Sequence, residues 1–329
     1  MALSGYNPNR KKVIIYYFAV ALLIIAAMAI LYFYPLSKKK GTAENTTPDT
    51  GTAQQTSQNQ NTSPDKTGTA ADVNLSANPR AAAMLRDAQS CIANGKIIVA
   101  RNTLNDILNM SLDAPGREIV KKQLSDLAQE WLFSRTIQLG DDLCSSYKVQ
   151  SGDSLAQIGA KYKVPYKLLM KINNIAGERG LRADQVIKVV QGPFHAIVYS
   201  STFTMDLYLQ NVYVKSYKVG LGKPGHETPV GLWKAEVGGK MVKPTWTDPE
   251  TGKTYHADDP DYPLGSGWIA LEGIDNRTRG IEGIAIHGTN DETTIGTKSS
   301  RGCIRLYNGE LVEVYDMLEA GYSELRVVE

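Results

Sequence analysis

The longest apolar run in the chain is Val13 to Tyr34, VIIYYFAVALLIIAAMAILYFY, which carries no charge. At about 1.5 Å of rise per residue, a helix of that length crosses a hydrocarbon core of roughly 30 Å. Tyr16, Tyr17, Tyr32 and Tyr34 lie near its ends, where amphipathic rings favour the water interface. The pattern predicts an uncleaved transmembrane helix over 13–34. A cleaved signal peptide is the competing reading. It calls for a shorter apolar core and small residues at the cut, whereas Phe33-Tyr34-Pro35-Leu36 is bulky. Basic residues stand on both sides, Arg10, Lys11 and Lys12 before and Lys38, Lys39 and Lys40 after, so charge alone does not orient the span. Residues 41–78 are rich in Thr, Gln, Asn, Ser and Gly and nearly empty of large apolar side chains. Such a stretch buries too little surface to offset its ordering entropy, which predicts a disordered linker.

Helical periodicity begins at Pro79. Asn78 suits the cap and Pro79 the first helical position. Met84, Ala88, Cys91 and Ile92 share a face until Asn94-Gly95. Ile97 to Met110 repeats the pattern with Ala100, Leu104, Ile107 and Leu108 inward. A third helix starts near Gly116, with Val120, Leu124, Leu127 and Trp131 on its buried side. Residues 79–143 therefore read as a small α-helical segment, and AQSCIANGKIIVARNTLNDIL resembles one tetratricopeptide-type helix pair. A single pair does not make an array. A small bundle serving as spacer or partner surface is the simpler alternative.

From Tyr147 to Gln191 the order changes to strand, helix, helix, strand. Tyr147 to Gln150 alternates, Ser151-Gly152-Asp153 turns, and Asp153 or Ser154 caps a helix containing Leu155, Ile158 and Tyr162. Leu168, Leu169 and Ile172 mark a second helix ending at Asn173-Asn174, and Val186 to Val190 closes as a strand. Beyond Phe194 the pattern is β. HAIVYSS, MDLYLQ, VYVKSYKVGLG, VGLWKAEV, GWIALEG and IEGIAIHG are short strands separated by Gly, Pro, Asn and Asp turns, and helix returns only at Gly309 to Ala320. A sandwich or barrel-like sheet over 194–329 is expected.

Charge adds little. The 329 residues carry 36 basic and 34 acidic side chains, a net charge of +2, with no long basic block; no nucleic-acid partner is implied. His195, His226 and His256 show no ligand-like spacing, and acidic YHADDPDYP reads as a solvated loop, so no metal is expected. Cys91 and Cys144 are open to two readings, a disulfide outside the cytoplasm or small buried hydrophobes.

Cys303 is different. It sits in SSRGCIRL between Arg301 and Arg305, and cations stabilise a thiolate. His287 ends an apolar strand 16 residues earlier, and a strand end and a returning loop bring such residues together at a sheet edge. A thiol beside an imidazole is expected to form a thiolate–imidazolium nucleophile. The carbonyl of Gly288 is placed to orient the imidazole, and Gly302 permits a backbone that aims amides at a reacting carbonyl, as an oxyanion hole requires.

Two resemblances extend these readings. The stretch 147–191, with its opening YKVQSGDSL, helix pair, Asn-Asn and closing Gln-Val-Ile-Lys-Val, resembles a LysM domain. That implies binding of N-acetylglucosamine-containing glycan strands, chiefly peptidoglycan, near Gly152, Asp153 and Ser154. Residues 287–308, HGTNDETTIGTKSSRGCIRLYN, resemble the signature of YkuD-type L,D-transpeptidases, and KPGHETPVGLWK and YPLGSGWIAL carry the likeness upstream, so it covers 194–329. This implies Cys303 as nucleophile toward a peptidoglycan stem peptide, His287 as proton acceptor and donor, and Gly288 as backbone orienter. Ser300, Arg301, Gly302 and Arg305 would serve substrate or oxyanion, with no cofactor. Many members have His where this chain has Arg301, which is read as a variant supplying charge to substrate or thiolate. Arg305 is open to a second role as partner of a carboxylate within the domain. The expected protein is a membrane-tethered L,D-transpeptidase forming 3-3 crosslinks, with residues 1–12 in the cytoplasm and the body outside the inner membrane. L,D-carboxypeptidase action, attachment of a protein to peptidoglycan, and a non-catalytic wall-binding anchor are the alternatives.

Overall fold

The computed structural model describes residues 78–329. The expected cytoplasmic tail, the span 13–34 and the linker before residue 78 lie outside the described residues. Among the described residues no helix is long and apolar enough to cross a membrane.

Three helices come first, α1 (Pro79–Ala93), α2 (Ile97–Leu108) and α3 (Ala114–Trp131). Asn78 caps α1 by accepting from Ala81 N, and Asp113 caps α3 by accepting from Gly116 N. Ala100, Leu104, Ile107, Val120, Leu124, Leu127 and Trp131 are buried as the spacing predicts. In α1 the fully buried face is Ala81, Leu85 and Ala88, while Met84, Cys91 and Ile92 are half-buried. The face is thus rotated toward Leu85 by its packing on α2.

Next come β1 (Cys144–Lys148), α4 (Leu155–Tyr162), α5 (Tyr166–Asn173) and β2 (Val186–Val190), with β1 and β2 antiparallel and Tyr147 opposite Ile187. Lys163 and Asn174 end the two helices in the left-handed conformation. Asn173 pins α5 to β2, accepting from Lys188 N and donating to Lys188 O. Lys188 reaches back to the helical segment, where its Nζ donates to the carbonyls of Trp131 (2.5 Å), Ser134 (3.0 Å) and Thr136 (2.7 Å). One ammonium thus satisfies the open carbonyls after α3. Cys91 and Cys144 are both free, so no disulfide links them. Cys144 is buried near Trp131 O, and burial pushes its thiol up to about 12. It behaves as a small core hydrophobe.

The remaining strands are β3 (Phe194–Tyr199), β4 (Thr204–Leu209), β5 (Val212–Lys218), β6 (Leu221–Gly222), β7 (Gly231–Met241), β8 (Trp246–Thr247), β9 (Thr254–Tyr255), β10 (Trp268–Gly273), β11 (Ala285–His287), β12 (Lys298–Ser300), β13 (Ile304–Arg305) and β14 (Glu324–Val328). A helix, α6 (Asn308–Tyr315), precedes β14. Eight strands form one mixed sheet in the order β13-β11-β10-β7-β14-β3-β4-β5. The chain leaving β5 bridges to β13 through mutual hydrogen bonds of Gly220 and Arg305, at 2.9 and 2.8 Å. The two ends of the sheet therefore meet, which makes the domain barrel-like. β14, absent from the predicted strands, lies at the sheet's centre between β7 and β3. Of the expected strand IEGIAIHG only Ala285–His287 is paired.

The helical segment docks on the β4–β5 hairpin. Lys121 of α3 meets Asp206 of β4 at 2.7 Å with both side chains buried. Asn105 of α2 accepts from Tyr213 N and donates to Asn211 O.

Candidate active site

β11 and β13 run parallel, Ile286 opposite Ile304 and His287 opposite Arg305. Because side chains alternate along a strand, Ala285 and His287 share one face of β11; Arg305 stands opposite His287, and Cys303 immediately precedes β13. His287 is buried, with its ring stacked on Trp268 of β10 at 5.6 Å between centroids and 17° between planes. Its Nδ1 lies 2.6 Å from Gly288 O. A carbonyl only accepts, so Nδ1 carries the proton and Nε2 keeps its lone pair. Burial, with the Arg305 cation second, holds the imidazole down at about 4.

Cys303 is half-buried, and its thiol donates to Gly283 O at 3.4 Å; no hydrogen bond joins it to His287. Burial raises its pKa, while a backbone hydrogen bond from Ala285 and the Arg305 cation pull it down by less. Burial therefore favours the uncharged form of both groups. Both shifts run against the expected thiolate–imidazolium pair, desolvation being the larger cause for each group. Gly302 has φ +105°, and a Cβ there would stand 2.8 Å from Ile284 Cδ1, so only glycine fits the turn. Ser300 is buried and its hydroxyl donates to Cys303 O at 2.6 Å. That bond closes the turn carrying Cys303.

Arg301 is not turned toward the thiol. Its guanidinium bridges Asp248 (2.7 Å) and Glu250 (2.5 Å) in the turn between β8 and β9. Instead of the expected contact with thiolate, it pairs with two carboxylates and ties that hairpin to the turn before Cys303. Arg305 is the opposite case. Among the described residues no carboxylate lies within ion-pair distance of it, its Nε is buried without a partner, and only Ser299 Oγ lies near its Nη1, at 3.4 Å. The reading of Arg305 as a carboxylate's partner within the domain is not met.

The family profile of the L,D-transpeptidase catalytic domain, YkuD, matches residues 193–328, and that of the LysM domain matches 147–190. YqjB of Bacillus subtilis (strain 168), which bears the name of an L,D-transpeptidase, is 33% identical over 132 residues, 40% of this chain and 69% of that protein. The chain belongs to the L,D-transpeptidase family. YkuD of the same organism, which bears the same family name, is 28% identical over 186 residues, 54% of this chain and 94% of that protein.

In this L,D-transpeptidase the LysM residues singled out from sequence have structural partners. Asp153 accepts from Tyr147 OH (2.8 Å) and Gln150 N (2.7 Å), which lowers its pKa. Ser154 forms a reciprocal capping box with Gln157. Gly152 takes φ +90° to make the turn. These groups build the loop between β1 and α4. Among the described residues no group of His, Cys, Asp and Glu has the arrangement to hold a metal. Sequence reasoning missed Trp268, the Asp248–Glu250 turn and Asn308. GWIAL placed Trp268 on a strand, but nothing in the string located it under His287.

Proposed function

We propose that this L,D-transpeptidase forms 3-3 crosslinks between peptidoglycan stem peptides through a thioester on Cys303. Sγ attacks the carbonyl of the donor stem's third residue, a diamino acid, as His287 Nε2 takes the thiol proton. With both groups neutral at rest, that transfer accompanies formation of the S–C bond. The C–N bond to the terminal D-alanine then breaks, and the imidazolium returns the proton to the departing amine. The side-chain amine of a second stem attacks the thioester, giving a proton to His287; the S–C bond breaks and the sulfur is reprotonated. Every atom and charge is accounted for by the two stems, Cys303 and His287. Arg305, which no carboxylate among the described residues pairs, is the receptor for a stem carboxylate, since a desolvated guanidinium gains most from a bidentate anion. Gly302 opens the turn for backbone N–H groups to meet the oxyanion.

The observation that carries this reading is the 2.6 Å contact of His287 Nδ1 with Gly288 O, because it leaves Nε2 as the ring's basic nitrogen. The LysM module would hold the enzyme on glycan strands and raise the local concentration of stems. Residues 13–34 would span the inner membrane once, with residues 1–12 inside and the body outside, where that substrate lies.

The test is incubation of the purified chain with tetrapeptide muropeptides and analysis of products by mass. Crosslinked dimers from the wild type, and none from Cys303→Ala or His287→Ala with glycan pull-down intact, are expected. Tripeptides without dimers would make the enzyme a carboxypeptidase, and dimers from Cys303→Ala would overturn the mechanism.

A further inference from the structure

Asn308, the first residue of α6, turns its carboxamide onto the loop that follows His287. Its Oδ1 accepts from Ser266 N at 2.9 Å and Thr289 N at 3.3 Å, and its Nδ2 donates to Thr289 O at 2.8 Å. Ser266 Oγ completes the knot by donating to Asn308 O at 2.9 Å. A Cβ on either Gly265 or Gly288 would collide with that Oδ1, so both loops close directly onto the amide.

The geometry bears on the base. Thr289 N–H and Gly288 C=O are the two ends of one planar peptide unit. Holding the N–H on Asn308 Oδ1 sets the plane of that unit, and therefore the direction of the carbonyl that accepts from His287 Nδ1. A side chain that accepts from two N–H groups and donates to one C=O must carry both functions, as an amide does; a carboxylate only accepts.

We infer that Asn308 is the positioning residue of the catalytic base: it fixes the Gly288–Thr289 peptide and so holds His287 in the tautomer whose Nε2 is free. This rests on His287 being the base. Asn308 touches neither thiol nor imidazole and acts only through the intervening peptide.

The test uses the full chain with Asn308→Ala, Asn308→Asp and Ser266→Ala, imidazole nitrogen-15 NMR of His287 assigned against His287→Gln, and kcat and KM for crosslinking. In Asn308→Ala the two ring nitrogens should move toward the averaged values of mixed tautomers. The kcat should fall by about 10- to 100-fold, a small misplacement at a reacting centre being worth about that much, with KM unchanged. Asn308→Asp keeps two accepted bonds and loses the donated one, so it should fall between alanine and wild type. Ser266→Ala removes only the outer bond of the knot and should shift the ring nitrogens in the same direction by less; it carries the readout if both Asn308 variants fail to fold. Wild-type nitrogen shifts and kcat in a folded Asn308→Ala protein would overturn the inference. The NMR readout needs no turnover, so activity surviving in His287→Gln would remove the base reading and leave the tautomer result standing as a separate measurement.

Discussion

His287 and Arg305 stand opposite each other across the parallel pairing of β11 and β13, and the guanidinium helps hold the imidazole uncharged. The same cation draws the neighbouring thiol's pKa down. Arg305→Met should therefore raise both pKa values. If Arg305 also receives a stem carboxylate, KM for the donor should rise by about 10-fold or more, the ~1.5–3 kcal/mol of a hydrogen bond to a charged group. Steady-state kinetics with donors bearing or lacking the terminal carboxylate would measure it; equal losses for both donors would remove the carboxylate role.

A neutral resting thiol has a kinetic signature. Alkylation of Cys303 by iodoacetamide should be slow at pH 6 to 7 and climb into the alkaline range, since the thiol's pKa lies above its ordinary 9.0. A plateau of fast alkylation from about pH 5 upward, the mark of a preformed ion pair, is the contrary outcome.

Stability should respond to His287 on the acid side. Its pKa is about 4 folded against 6.5 ordinarily, so between these values the unfolded chain binds the extra proton. Stability is then retained above 6.5 and lost as pH falls toward 4. Denaturant titrations at stepped pH should show that slope, and His287→Gln should flatten it.

Gly302→Ala places a methyl against Ile284 and forces a left-handed φ on a residue with a Cβ. A stability loss of about 1–3 kcal/mol is expected, together with loss of crosslinking, because the turn presenting Cys303 must shift. Thermal melting and the muropeptide assay would report the two effects separately.

Arg301→Ala should release the β8–β9 hairpin at little cost in stability, since a partly exposed ion pair contributes roughly 0–1 kcal/mol. Asp248, whose pKa Arg301 lowers, should titrate higher. Hydrogen exchange of amides 246–255 should quicken in the variant and in high salt; unchanged protection would mean the latch does not hold the hairpin.

Much of this protein is determined by local patterning alone. The caps at Asn78 and Ser154, the inward faces of α2 and α3, the βααβ order of the LysM module and the alternating strands after Phe194 all follow from residue spacing, because caps and amphipathic faces are properties of a few neighbouring residues. Cys303 and His287 could likewise be singled out as chemistry-bearing residues at a glycine turn and a strand end. Which charges reach them could not. Arg301 and Arg305 are alike in the string SSRGCIRL, yet one is bound by carboxylates from a turn some 50 residues away and the other is left unpaired beside the thiol. β14 escaped notice because five residues say little by themselves and acquire their place only between β7 and β3. Burial, set by the closing of the whole sheet, raises the thiol's pKa and lowers the imidazole's. It is a property of the assembled fold, and no local stretch of sequence contains it.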